Sequence, residues 1–135
     1  MNILIFENEI VEVENAFKML NILYYKSKLV YRYETSSQDV KVEEYKTFDL
    51  IFIDIDLSVK SEKDGFGILN DIKKHNTEIL KKVVVLTGSN LMRKKLDSDG
   101  YKDVPLIQKP VDYKDINKLM KEKLNQLSKN NKPDS

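Results

Sequence analysis

Leu50-Ile51-Phe52-Ile53-Asp54-Ile55-Asp56 is the stretch that decides the fold. Four apolar residues run without alternation into a carboxylate, and a second carboxylate follows two positions later. A short unalternating apolar run is a strand buried on both faces, which requires a parallel sheet covered by helices. An acid at the carboxyl end of such a strand stands where open α/β sheets place their chemistry.

Downstream of Asp56 the chain repeats the same grammar. A polar loop from Ser58 to Asp64 leads to Gly65 and Gly67, which open a helix carrying Phe66, Ile68, Leu69 and Ile72 and ending near Lys73–Asn76. Val83-Val84-Val85-Leu86 is the next buried strand and ends in Thr87-Gly88-Ser89. Leu91–Leu96 has room for only a short helix, which Gly100 breaks. Val104, Leu106 and Ile107 form the last strand, ending in Lys109-Pro110. Asp112 caps a final helix with Asp115 at its third position, a variant of the capping box, and Ile116, Leu119, Met120, Leu124 and Leu127 give that helix its apolar face.

Upstream, Ile3-Leu4-Ile5-Phe6 is a buried strand ending in Glu7-Asn8-Glu9. Ile10, Val13, Phe17 and Leu20 recur at helical spacing, so a helix runs from about Glu9 to Leu23. Leu29, Tyr31 and Tyr33 alternate with Val30, Arg32 and Glu34, the period of an edge strand with a wet face. Ser36 or Ser37 is expected to cap a short second helix through about Tyr45, with Val40 and Val42 facing inward. Five strand–helix units in strict alternation predict a doubly wound (βα)5 three-layer sandwich. Its parallel five-stranded sheet has the order 2-1-3-4-5, with the alternating second strand at one edge. The expected domain spans residues 1–127, and residues 128–135 form a polar tail.

Composition bounds the function. The chain has 135 residues, 41% hydrophobic and 33% charged, enough for one core. Its 23 basic and 22 acidic side chains balance to +1, without the basic excess of a nucleic-acid-binding domain. No stretch is long and apolar enough to span a membrane, and a cytoplasmic protein is expected. With no cysteine and one histidine, thiolate chemistry and multi-histidine metal sites are excluded.

Parallel strands share one carboxyl end. The order above delivers Glu7, Asn8 and Glu9 from the first strand, Asp54 from the third, Thr87 from the fourth and Lys109 from the fifth into one crevice. Clustered carboxylates repel unless cations join them. Lys109 supplies one charge, and Mg²⁺, which accepts one or two carboxylates and keeps several waters, suits the remainder. A carboxylate so placed can attack a phosphoryl group and form an aspartyl phosphate, with the metal and ammonium neutralising its oxygens. The Thr87 hydroxyl is placed to donate a hydrogen bond to that group.

Ile-Leu-Ile-Phe-Glu-Asn-Glu, Asp-Leu-Ile-Phe-Ile-Asp-Ile-Asp-Leu, Val-Val-Val-Leu-Thr-Gly-Ser and Ile-Gln-Lys-Pro-Val together resemble the receiver domain of bacterial response regulators, over about Asn2 to Leu127. The resemblance implies that Asp54 accepts phosphate from a histidine kinase or phosphotransfer protein. It implies that Glu7 and Asn8 hold the acidic-pair positions, that Thr87 is the switch hydroxyl and that Lys109 contacts the phosphoryl group. Mg²⁺ would then be bound by Glu7, Asn8, Asp54 and the backbone carbonyl of Asp56, and Lys109-Pro110 would be cis. A downstream protein partner would dock on the fourth helix, fifth strand and last helix, at Leu91, Met92, Leu106, Tyr113 and Lys114. Such a chain is a stand-alone phosphoacceptor and signalling module, not an enzyme beyond weak self-phosphorylation and self-dephosphorylation.

The sequence also departs from the family. Glu7-Asn8 replaces a usual pair of aspartates, and Asn8 stands where the direct metal ligand falls. Ser58 replaces a proline, Asp64-Gly65 comes about three residues late, and Leu106 replaces the aromatic switch residue. These departures motivate an alternative, a degenerate receiver that binds its partner without phosphorylation. Ile53-Asp54-Ile55-Asp56, Leu86-Thr87 and Lys109 also resemble motifs of haloacid-dehalogenase-type phosphatases, a remote alternative because two units precede Asp54. His75 among lysines reads as a surface residue complementing a helix end, and Arg93-Lys94-Lys95 as a wet helix face. Tyr24, Tyr25, Tyr31 and Tyr33 read as packing and edge-strand residues rather than a base-stacking surface.

Overall fold

The structure is a computed structural model that describes residues 1–130. Five parallel strands, β1 (Asn2–Phe6), β2 (Val30–Glu34), β3 (Leu50–Asp54), β4 (Val83–Thr87) and β5 (Leu106–Gln108), form one sheet of order β2-β1-β3-β4-β5. The helices are α1 (Ile10–Tyr24), α2 (Gly65–His75), α3 (Met92–Ser98) and α4 (Tyr113–Asn130). The sheet order and its edge strand are those expected from the sequence.

The unalternating runs are explained by the two cores they serve. Leu4, Phe6, Ile51, Ile53, Val83 and Val85 face one side, where α2 and α3 contribute Ile68, Leu69, Ile72 and Leu96. Ile3, Ile5, Leu50, Phe52, Val84 and Leu86 face the other, against Val13, Phe17 and Leu20 of α1 and Ile116 and Met120 of α4. Every residue of β3 and β4 is buried, so both side-chain sets contribute about 1.5–3 kcal/mol per large apolar residue. Phe17 anchors the second core, edge-on to Phe52 with ring centroids 5.1 Å apart and to Tyr31 at 5.4 Å.

Two expectations are corrected. No α-helix follows Ser36 and Ser37. The segment makes two short 3-10 turns, Ser37–Asp39 and Val42–Thr47. The apolar residues Val42, Tyr45 and Phe48 recur every third position, the eclipsed period of a 3-10 turn rather than the α-helical one. In α4 Ile116 and Met120 are buried and Leu119 packs half-buried against the same core, as expected, whereas Leu124 and Leu127 are only half-buried and Lys123 is the buried residue beside them. Asp112 does cap α4, accepting from the Lys114 N–H at 2.7 Å. Of the tail expected from Ser128, residues 128–130 complete α4 and residues 131–135 lie outside the described residues.

Candidate functional site

The carboxyl ends of β1, β3, β4 and β5 meet as the order requires. Lys109, one residue past β5, is held by its N–H to the Thr87 carbonyl at 2.7 Å, and its peptide to Pro110 is cis. Its ammonium donates to Glu7 Oε1 at 2.6 Å and to Asp54 Oδ2 at 3.2 Å. Glu7 is fully buried, and Asp54 is nearly so. Asp54 Oδ1 accepts from the Asp56 N–H at 3.3 Å. Thr87 is buried at the end of β4, next to β3, and its Oγ1 accepts from the Ser89 N–H at 3.0 Å. With that lone pair used, the Thr87 proton remains to be donated.

Two buried carboxylates thus share one ammonium. Burial, aided by the Asp54 charge and opposed by Lys109, pushes the Glu7 carboxyl up to about 7. Burial pulls the Lys109 ammonium down, but the hydrogen bond to Glu7 and the two carboxylates outweigh it and hold Lys109 above its usual range. Glu7 Oε2 is buried with no hydrogen-bond partner among the described residues. An orphaned carboxylate oxygen takes either a proton or a cation. A raised folded-state value means that folded Glu7 holds more protons than unfolded Glu7 between about 4.5 and 7, so its contribution to stability falls as pH rises through that window. Glu7→Gln is therefore expected to gain about 3 kcal/mol on wild type between pH 4.5 and pH 8 in urea unfolding, and equal pH profiles would contradict it.

The other sequence-named residues do not converge on the pair through their side chains. Asn8, Glu9 and Asp56 are exposed. Glu9 offers its N–H to Glu7 Oε1 at 3.2 Å, while its carboxyl is pushed up by a hydrogen bond shared with Glu12. Among the described residues no three His, Cys, Asp or Glu side chains gather into a metal-binding group. The pair Glu7 and Asp54, with one orphaned oxygen and only one compensating cation, still fits a hard divalent ion that keeps most of its waters.

Asp54 is positioned from below by Gly65. A Cβ on Gly65 would lie 2.6 Å from Ile55 Cα and 2.7 Å from the Asp54 carbonyl oxygen, and the Gly65 N–H donates to the Ile55 carbonyl at 2.9 Å. The first residue of α2 packs directly on the backbone that carries Asp54. Gly65→Ala is expected to cost about 2–3 kcal/mol in urea unfolding, because backbone cannot yield as a side-chain tip does. Gly88→Ala, which meets nothing within 4 Å, serves as the neutral comparison.

The long loop after Asp56 is tied down in a way the sequence did not announce. Ser37 donates its N–H to Ser61 Oγ at 2.8 Å and accepts from Lys63 N–H at 3.0 Å through Oγ. Gln38 donates to the Lys60 carbonyl at 2.8 Å and accepts from Glu62 N–H at 2.9 Å. The partners are more than twenty positions apart, and no local spacing signals them. Arg93, expected to be solvated, instead donates to the carbonyls of Val104 at 2.7 Å and Tyr101 at 3.0 Å, pinning α3 to the turn before β5. On the expected docking face Leu91 and Lys114 are exposed, and Met92, Leu106 and Tyr113 are half-buried.

No protein-family model matches the chain, and no curated protein does. Solved structures do. A CheY-like response regulator receiver domain protein from Methanospirillum hungatei is 20% identical with a TM-score of 0.72, over 96% of this chain and 97% of that one. A response regulator receiver protein from Sinorhizobium medicae is 16% identical with a TM-score of 0.68, over 93% and 94%. A response regulator from Chloroflexus aurantiacus is 17% identical with a TM-score of 0.67, over 92% and 97%. With its sheet order, its crevice and these neighbours, the chain has the fold of the response-regulator receiver domains.

Proposed function

We propose that this chain is a receiver that accepts a phosphoryl group on Asp54 and signals by docking to another protein. The observation that carries the reading is the pair of buried carboxylates, Glu7 and Asp54, joined by the half-buried Lys109 at the carboxyl end of a receiver-type sheet. Asp54 Oδ attacks phosphorus, the bond from phosphorus to the donor atom breaks, and its electron pair leaves with the donor. Lys109 turns its ammonium from the carboxylates to the new phosphoryl oxygens, and Thr87 donates its free hydroxyl proton to another. Glu7 and Asp54 would hold Mg²⁺, with Asn8 and the Asp56 carbonyl beside them; when bound, the ion neutralises charge developing on the phosphoryl oxygens. The donor is a histidine kinase or phosphotransfer protein, and α3, β5 and α4 form the output face. Contacts of Thr87 and Lys109 with the phosphoryl group then bias that face between two states.

A second reading, a receiver that binds its partner without phosphorylation, is favoured by one observation: Asn8 is exposed and uncharged at the position of the second acid. Wild-type protein incubated with Mg²⁺ and a small phosphodonor separates the two. A gain of one phosphoryl group in intact mass, mapped to the Asp54 peptide, is expected. No gain at any Mg²⁺ concentration up to the millimolar range would remove the first reading and leave the second.

A further inference from the structure

At the opposite end of the sheet from Asp54, α4 sends Lys123 inward. It continues the stripe of Ile116 and Met120, where an apolar side chain would pack, yet it is only 6% exposed. Its ammonium donates to the Lys81 carbonyl at 2.9 Å, and among the described residues it has no other hydrogen-bond or ion-pair partner. An ammonium carries three donors, so two are left to face the cleft without a protein acceptor among the described residues. The same side chain divides a cleft into two adjoining lobes of about 220 and 360 Å³, which also share Asp103, Val104 and Gln126.

The walls restrict what fits. Leu80, Tyr101 and Val104 give the larger lobe hydrocarbon surface. Arg93, Lys102, Lys81 and Lys123 bring positive charge to the two lobes, and Asp103, Glu122 and Glu78 bring negative charge. Arg93 is committed to the Val104 and Tyr101 carbonyls and to Asp97, so Lys123 is the buried donor with capacity to spare. Arg93 is paired with Asp97 and Lys81 with Glu78, so the uncommitted buried Lys123 matches one negative charge, whereas a doubly charged anion would meet Asp103 and Glu122 without a second buried cation. We propose that the Lys123 cleft binds a small monoanionic carboxylate, its oxygens on the two free Lys123 protons and its short hydrocarbon part against Leu80, Tyr101 and Val104. This site lies apart from the phosphoacceptor crevice and does not depend on Asp54 accepting phosphate. Burial, only partly offset by Asp103, pulls the free ammonium down to about 8, which fits a cation waiting for a counter-ion.

The test titrates full-length protein with sodium butyrate against sodium chloride at equal ionic strength, following backbone amides by NMR. Butyrate is expected to give saturable shifts at Lys81, Lys82 and residues 101–104, with affinity on the order of millimolar. Affinity should weaken above pH 8 as free Lys123 loses its charge. Lys123→Met should weaken butyrate binding at least tenfold, while Lys123→Arg, which keeps the charge, should hold it within a few-fold. Chloride producing the same shifts, butyrate shifts that never saturate, or unchanged affinity in Lys123→Met with a native-like spectrum would overturn the site. Should Lys123→Met fail to fold, the wild-type pH dependence decides: affinity constant from pH 7 to pH 9.5 overturns the proposal.

Discussion

Lys109→Met is expected to lose about 3 kcal/mol of stability at pH 8 and to stop phosphoryl uptake on Asp54. The ammonium is the hydrogen-bonded counter-charge of both Glu7 and Asp54, and both carboxylates are buried. Removing one member of a buried charge cluster leaves the others desolvated and unpaired, a change that costs about 3–5 kcal/mol when burial is complete. Lys109 keeps part of its surface in water, which places the loss at the low end. The cost is also capped by protonation. Lys109 lowers the Glu7 carboxyl by hydrogen bond and by charge, so without it Glu7 rises above its present value of about 7 and takes up a proton. The penalty is therefore largest above pH 7 and shrinks on acidification. Urea unfolding of both proteins at pH 8 and pH 5.5 measures it, and a deficit that grows toward acid would show the pairing to be misassigned. A total stability of 5–15 kcal/mol is usual for a domain, so about 3 kcal/mol leaves the variant folded for the functional measurement.

How much of this was legible beforehand follows from the range of each signal. The sheet order was readable because β1, β3 and β4 are buried on both faces and β2 is not, so each strand carries its place in its own pattern. Glu7, Asp54 and Thr87 were readable because each is the first polar residue after a buried run, and Lys109 because it follows the end of the last strand just before Pro110; parallel strands bring such residues together without further information. The segment between β2 and β3 was misjudged by its serines, which are helix-capping residues in general. Here Ser37 spends its N–H and hydroxyl on the loop around Ser61 and Lys63. Val42, Tyr45 and Phe48 at every third position carried the better signal. Arg93 and Lys123 were out of reach. Their acceptors are backbone carbonyls of Val104, Tyr101 and Lys81, and a carbonyl has no residue type by which a sequence can announce it.

Asp54→Asn is expected to take up no phosphoryl group under conditions that load wild type, and to be more stable than wild type by about 1 kcal/mol above pH 7. The functional half follows from chemistry, since an amide oxygen lacks the charge and nucleophilicity to displace a phosphoryl donor. The stability half follows from geometry. In wild type the Asp54 charge raises Glu7, so the two carboxylates oppose each other across one ammonium. Asparagine has one oxygen, enough for the Asp56 N–H where Asp54 Oδ1 now accepts at 3.3 Å; its NH2 takes the Oδ2 position and cannot accept, so Lys109 keeps its 2.6 Å bond to Glu7 alone and the excess charge is gone. Glu7 and Lys109 then form a neutral pair, and the Glu7 carboxyl drops, while its burial still holds it above its ordinary range. Intact-mass measurement after incubation with phosphodonor and Mg²⁺ reads the first effect, and urea midpoints at pH 8 read the second. Phosphoryl gain in the variant places the acceptor elsewhere. A variant less stable than wild type instead assigns Asp54 a structural role beside Lys109 that outweighs its repulsion with Glu7.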